Sequence, residues 1–311
     1  MNIYNLNLNM NMNMNIYMNI TEYYSPIEFV KISDIILIPP HINLDMSMFK
    51  NKSKIIIYCL HDPTIIEYIA NNIIQLIEVP FIIISAMEDT TFPIEFRIES
   101  LRNIQNNYFF KHWFAINKIM PNNNLTTTIP YGLDYWTVQN KDYFGEIKHN
   151  SIEQDRIFSL IISNTKHFTQ RINKIYANFH LHLTDKRHGK WRERISSIIP
   201  SEIIYFENQP LIRRDSWKKM SEYTFVVSPC GNGLDCIRTF EALCLGCIVI
   251  IKKCELDTSM YDDLPVIIID EYTDINSKFL EDTINLFSKK EFNFNKLKMK
   301  YWIDKINEKF V

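Results

Sequence analysis

Apolar residues fall along this chain in two patterns. Some form short continuous runs bounded by polar or turn residues, and others recur every three or four positions. The first pattern predicts strands buried on both faces and the second predicts amphipathic helices. Runs at 35–38, 55–60 and 81–85 predict strands, 64–77 and 94–105 predict helices, 108–116 and 126–129 add two strands, and the Asn-rich 121–124 is a loop. The order β-α-β-α-β argues for an α/β fold with a parallel sheet covered on both sides.

A polar stretch at 143–155 predicts a linker, after which the pattern restarts. Strands are expected at 157–163, 203–206, 224–228, 247–251 and 266–269. Helices are expected at 168–183, from a cap at Asp215 to 221, at 235–245 with Gly246 as the stop, at 275–288 and at 296–309. The boundaries are then a tail at 1–20, a first domain at 21–145, a second at 146–295 and a closing helix at 296–311. Two such halves predict a cleft between them, with ligand at the carboxyl ends of the strands. Residues 2–20 alternate Asn with apolar residues, as a strand or a low-complexity tail would, and are assigned no chemistry.

Composition narrows the classes. The 311 residues carry a formal charge of −2 and are 46% apolar, so a substantial core is expected and nucleic acid is not an expected partner. No apolar run is long enough to span a bilayer, and the first twenty residues lack the pattern of a secretory leader. A soluble, intracellular, cytoplasmic protein is expected. Six cysteines are present, five of them between Cys230 and Cys254, yet no matching pair of zinc ligands lies nearby. Reduced core thiols are the expectation, and no metal site.

Glycine is scarce, at 6 residues, so each survivor points to a backbone requirement. Two of them lie in FVVSPCGNGLDCIR, residues 225–238. Pro229 ends a strand there, Gly231 and Gly233 permit positive φ and close approach, and Asp235 is a candidate N-cap for the helix that follows. Loop amides and the helix N-terminus can together receive an anion. Arg238 can pair with a diphosphate as a planar fork, and Glu241 can accept from a ribose diol. The bland alternative is a surface ion pair among Asp235, Arg238 and Glu241. A dinucleotide fingerprint fails here: Cys236 stands at the third glycine, the loop falls in the second half of the chain, and the next strand ends in Lys252 and Lys253 rather than an acid.

The longer stretch SPCGNGLDCIRTFEALCLGCIVIIKKCELDTSMYDDLPV, beginning at Ser228, resembles the carboxyl-terminal motif of exostosin-like glycosyltransferases. Pro130-Tyr131-Gly132-Leu133-Asp134 and Trp113-Phe114-Ala115-Ile116-Asn117 are similar to two shorter motifs of that group. Phe240, Val249 and Ile237 depart from its usual Trp, Pro and His. The resemblance implies a GT-B architecture, two Rossmann-like domains facing a cleft, with a nucleotide-sugar donor on the second. Gly231, Asn232 and Gly233 would line the diphosphate, Arg238 would neutralise it and Glu241 would meet the ribose. Ser228, Leu234, Asp235 and Thr239 complete that donor-binding stretch.

Further candidates are Arg213 and Arg214, and Asn164 and Lys166 in the loop after the expected 157–163 strand. The acceptor hydroxyl needs a base from the first domain. Asp89 is the choice, with Glu88 beside it after the 81–85 strand, and His112, Asn117 and Asp134 as other cleft or acceptor residues. The expected function is transfer of a sugar from a nucleotide donor, UDP-linked, to a glycan or protein acceptor, inverting and metal-independent, with no cofactor besides that co-substrate. Two alternatives stand beside it: a non-catalytic nucleotide- or sugar-binding module, and a dinucleotide oxidoreductase.

Overall fold

The computed structural model describes residues 20–39, 49–140, 147–181, 187–190 and 192–311. The tail expected before residue 20, and 143–146 of the expected linker, lie outside the described residues.

The apolar runs become parallel strands. Strands β1 (Ile35–Leu37), β2 (Ile55–Leu60), β3 (Phe81–Ala86), β4 (Phe110–Ala115) and β5 (Thr126–Thr128) form one sheet in that order. Strands β6 (Ile172–Ala177), β7 (Ile204–Phe206), β8 (Tyr223–Val227), β9 (Ile248–Lys252) and β10 (Val266–Ile269) form a second, in the order β10-β9-β8-β6-β7. Both sheets are parallel, and the chain is an α/β protein with two five-stranded sheets, consistent with a Rossmann-like architecture.

Alternation along each strand sorts its side chains into two cores. Ile55, Ile57 and Cys59 of β2, with Phe81 and Ile83 of β3, join a core on one face of the first sheet. Phe225 and Val227 of β8, with Ile248 and Ile250 of β9, do the same for the second. The intervening residues, Ile56, Tyr58, Ile82, Ile84, Val226, Val249 and Ile251, belong to one continuous core shared by both halves.

Helix α1 (Pro63–Tyr68) is capped by Asp62, whose carboxylate accepts from the Thr64 and Ile65 amides. A π turn (Ile69–Ile73) and a 3-10 turn (Ile74–Leu76) prolong it, so helical backbone fills the predicted segment. Helix α2 (Ile98–Gln105) begins four residues later than expected, after a turn that holds Pro93. Helix α3 (Tyr135–Asn140) precedes α4 (Ser151–Ser163).

Two expectations fail here. Residues 157–163 are helix, because Ser151, Gln154, Asp155, Phe158 and Ile161 form one buried helical stripe that starts inside the expected linker, with Asn150 as the cap. Residues 172–177 are strand, held between β8 and β7, so the helical spacing of Phe168, Ile172 and Phe179 is overridden by pairing on both edges.

Helices α5 (Arg192–Ile198), α6 (Arg213–Ser221), α7 (Ile237–Cys244) and α8 (Ser277–Phe287) complete the second half. Ile212, not Asp215, is the cap residue of α6, and Asp215 sits in its first turn, where a carboxylate favours the helix dipole. Gly246, at φ +74, ends α7 as expected. Among the described residues no helix is long and apolar enough to cross a membrane.

Helix α9 (Met299–Asn307) returns to the first half. The Met299 amide donates to the Glu22 carbonyl at 3.0 Å, the Tyr24 amide donates to the Leu297 carbonyl at 3.0 Å, and the Trp302 ring lies 5.6 Å from that of Tyr24. Trp302 is nearly fully buried. Trp302→Ala should therefore lower the unfolding free energy by about 3–5 kcal/mol, measured by urea denaturation. A change under about 1 kcal/mol would show that α9 is not part of the first half's core.

Candidate functional site

The three sequence motifs meet at one buried carboxylate. Asp235, at the end of the glycine loop, accepts from the Tyr131 amide at 2.7 Å and the Cys236 amide at 2.8 Å, and the Tyr261 hydroxyl lies 2.7 and 2.8 Å from its two oxygens. Its own amide donates to Asn117 Oδ1 at 2.9 Å, and Asn117 Nδ2 donates to the Glu88 carbonyl at 3.1 Å. Asn117 adopts φ +47, a conformation that Asn tolerates better than most residues, and it is completely buried. Asp235 is thus not the N-cap. Cys236 holds that position and makes no side-chain capping bond. Burial raises the Asp235 carboxyl to about 6 against the pull of its donors.

The glycines answer to close approach, not to positive φ, which neither adopts. A Cβ on Gly233 would lie 2.9 Å from Asn117 Nδ2 and 3.0 Å from Asp89 Oδ1, and a Cβ on Gly231 would lie 3.0 Å from Arg192 Nη2. The approaching groups are therefore the protein's own. The Gly231 amide donates to the Gly233 carbonyl, and the Asp235 and Cys236 amides are taken as described. Three of the amides expected to face a phosphate are already bonded within the protein.

Beside this loop a groove of about 660 Å³ opens at the carboxyl ends of β6 and β7. Residues 178–181 follow β6, residues 207–212 follow β7, and α6 and α7 close the wall with Trp217, Ile237, Arg238 and Glu241. Arg238 Nε donates to Asn178 Oδ1 at 2.8 Å, while its Nη1 is buried without a partner. Arg192 spends its donors on carbonyls, chiefly Cys230 at 2.8 Å and Pro229 at 3.3 Å. Both guanidinium carbons lie over the Phe179 ring, at 5.3 Å for Arg238 and 5.5 Å for Arg192. Neither makes an ion pair with a carboxylate among the described residues. Burial pulls Arg238 down to about 10, with the charge of Arg192 acting in the same direction, so it remains cationic at neutral pH. Asn232 Oδ1 is a second buried polar atom without a partner. Arg238, cationic and with a buried donor that has no partner, makes this groove the candidate place for an anion, whereas Asn232 Oδ1 can only accept and offers an anion nothing.

Glu241 lines the groove but is already engaged. Its Oε1 accepts from Trp217 Nε1 at 2.8 Å and Arg213 Nη2 at 3.2 Å, and Oε2 takes part in neither bond. Arg213 is buried, stacks on Trp217 at 5.1 Å and donates to the Asp134 carbonyl at 2.6 Å, so it ties the halves together. Asp134 also caps α3 through the Thr137 amide. Ser228 and Thr239 bond each other at 2.9 Å, and both are buried, as is Leu234.

The remaining candidates go elsewhere. Asn164 and Lys166 are exposed and precede β6, at the amino edge of the second sheet, because the segment before them is helix α4. Arg214 is exposed on α6 and lines a surface depression with Asn164, apart from the groove. His112 is buried between the Asn124 carbonyl at 3.0 Å and Thr127 Oγ1 at 2.8 Å, and burial lowers it to about 4. Of the two acids after β3, Asp89 abuts Gly233, whereas Glu88 is exposed with its carboxyl raised by desolvation and the neighbouring Asp89.

Asn178, which accepts from Arg238, and Phe179 and Arg192, which flank it, were not among the sequence candidates. The basic run KRHGKWRER, residues 186–194, was a signal for Arg192. Asn178 and Phe179 lie inside the segment expected to be helix, 168–183, and in the structure they follow the end of β6. The thiols also divide: Cys59, Cys244 and Cys247 are buried, whereas Cys230 and Cys236 are partly accessible and Cys254 is exposed. Among the described residues no group of three or more His, Cys, Asp or Glu side chains is arranged to hold a metal ion. No family model matches this chain, and no curated protein matches it.

The raised Asp235 carboxyl makes a pH prediction. Unfolded Asp ionises near about 4, so between pH ~4 and ~6 the native state holds a proton that the unfolded state has released. This group's contribution to stability therefore declines as pH rises through that window and is level above it. Asp235→Asn should abolish that part of the slope, and should cost about 1–3 kcal/mol at pH 7 by opposing an amide to a backbone donor. Urea unfolding at a series of pH values, wild type against variant, checks both. Parallel curves across the window would show that Asp235 does not titrate there.

Proposed function

We propose that this protein is a glycosyltransferase of the GT-B kind, moving a sugar from a uridine diphosphate donor to a glycan or protein acceptor with inversion. The observation that carries the reading is Arg238, with Nη1 buried and unpartnered, beside Arg192 on the Phe179 ring at the carboxyl edge of a parallel sheet. An anionic leaving group is what such a pair of cations best stabilises. In this reading the diphosphate lies against Arg238 and the first turn of α7, where the helix dipole adds positive potential. The ribose meets the free oxygen of Glu241. With two guanidiniums meeting the charge of the leaving diphosphate, the chemistry requires no divalent ion. Asp89 is the base that takes the proton of the acceptor hydroxyl, from its position across Gly233.

A second reading, a nucleotide-binding module without transfer, is favoured by one feature. The glycine loop is closed on Asn117 and Asp89, so the acid stands against protein and not in the groove.

Calorimetric titration with uridine diphosphate and turnover with a panel of nucleotide sugars distinguish the two. Arg238→Ala should weaken diphosphate binding about ten- to a hundredfold, the loss of a charge-assisted contact. Asp89→Asn should leave binding within about twofold and lower transfer about 10²–10⁴-fold. Binding without turnover in the wild type supports the module, and absence of binding by any nucleoside diphosphate rejects both.

A further inference from the structure

Two thiols face each other where β8 and β9 end. Neighbouring parallel strands place their following loops side by side, and here those loops carry Cys230 and Cys254. The Cys230 thiol donates to the Cys254 sulfur at 3.7 Å, and both line a small pocket with Arg192, Leu234 and Tyr272. Cys254 is exposed, so an external oxidant can reach it. Of the other four thiols, Cys244 is buried and three are bonded elsewhere. Cys236 Sγ donates to the Pro229 carbonyl at 3.3 Å, Cys247 to the Met220 carbonyl at 3.6 Å and Cys59 to the Ile84 carbonyl at 3.7 Å, the last two deep in the core.

We propose that Cys230 and Cys254 are a reversible oxidation site, closing to an intramolecular disulfide on exposure to a low-molecular-weight disulfide such as oxidised glutathione. Irregular backbone on both sides supplies the approach from contact distance to a covalent bond of about 2.05 Å. The chemistry assigns the order of events. The hydrogen bond from Cys230 stabilises the Cys254 thiolate and lowers that thiol, while the same bond and burial raise Cys230. The Cys254 thiolate attacks one sulfur of the oxidant and releases one glutathione thiolate, giving a mixed disulfide. Loss of that neighbouring negative charge eases ionisation of Cys230, whose proton passes to solvent. Its thiolate attacks Cys254 Sγ and expels the second glutathione. Two protein thiols are oxidised, and one small disulfide is reduced to two thiols.

The bond would fasten the start of the glycine loop to the end of β9. It would do so at the residue whose carbonyl accepts from Arg192 Nε.

The test is disulfide mapping of the native protein after titration with oxidised glutathione, with iodoacetamide trapping and peptide mass spectrometry. The expected product is a Cys230–Cys254 linked peptide that dithiothreitol releases, together with a higher Tm for the oxidised protein than for the reduced. Cys230→Ser should stop the reaction at a glutathione adduct on Cys254, and Cys254→Ser should leave Cys230 unmodified over the same time. Linkage of either residue to Cys236, or persistence of the glutathione adduct on Cys254 in the wild type, would overturn the proposal. So would pairing that appears only in denaturant.

Discussion

The arrangement of this molecule depends on one desolvated carboxylate at the seam between two sheets. A buried Asp with no cation beside it is expensive unless it is fully bonded. Asp235 meets that cost with two backbone amides and one phenol, drawn from a loop of the first half and two segments of the second. Asn117 continues the seam from Asp235 to the loop that carries Asp89. Because those donors belong to different halves, the bonds fix where α7 begins relative to the first sheet. Arg238 is three residues further on, and its position follows from that seam.

The buried cations are satisfied in two ways. Lys118 is wholly buried and faces Asp257 at 3.3 Å, and Arg213 faces Glu241 at 3.2 Å, so each of these cations has an anion. Arg192 and Arg238 have carbonyls, an amide oxygen and an aromatic face instead. Neutral acceptors orient a guanidinium without cancelling its charge. The result is positive charge held in place by the fold without a direct ion pair.

Much of the fold was legible in the residues, for a physical reason. Runs such as Ile55–Leu60 and Phe81–Ala86 are apolar along nearly their whole length because each strand packs against a core on both faces of its sheet. The segment from 157 to 176 misled, because a helix on the shared core and a strand at a sheet's polar end both have mixed patterns. That exchange moved Asn164 and Lys166 from the ligand edge of the sheet to the opposite edge. The motif segments were legible as motifs, and Arg238 and Glu241 do reach the groove. What spacing could not show is that Asp235 and Asn117 face each other and that Arg192 lies over Gly231, since those contacts join residues far apart in sequence.

The return of α9 also bears on synthesis. Tyr24 and Phe29 emerge from a ribosome well before Met299, Trp302 and Ile306, with which they share a core. Until those late residues appear, the first sheet has an open flank lined with aromatic rings. Completion of this half is therefore tied to the synthesis of α9 and not to its own segment. A nascent chain of this protein would carry an exposed aromatic surface until α9 is made, a natural target for chaperones that hold unfinished chains.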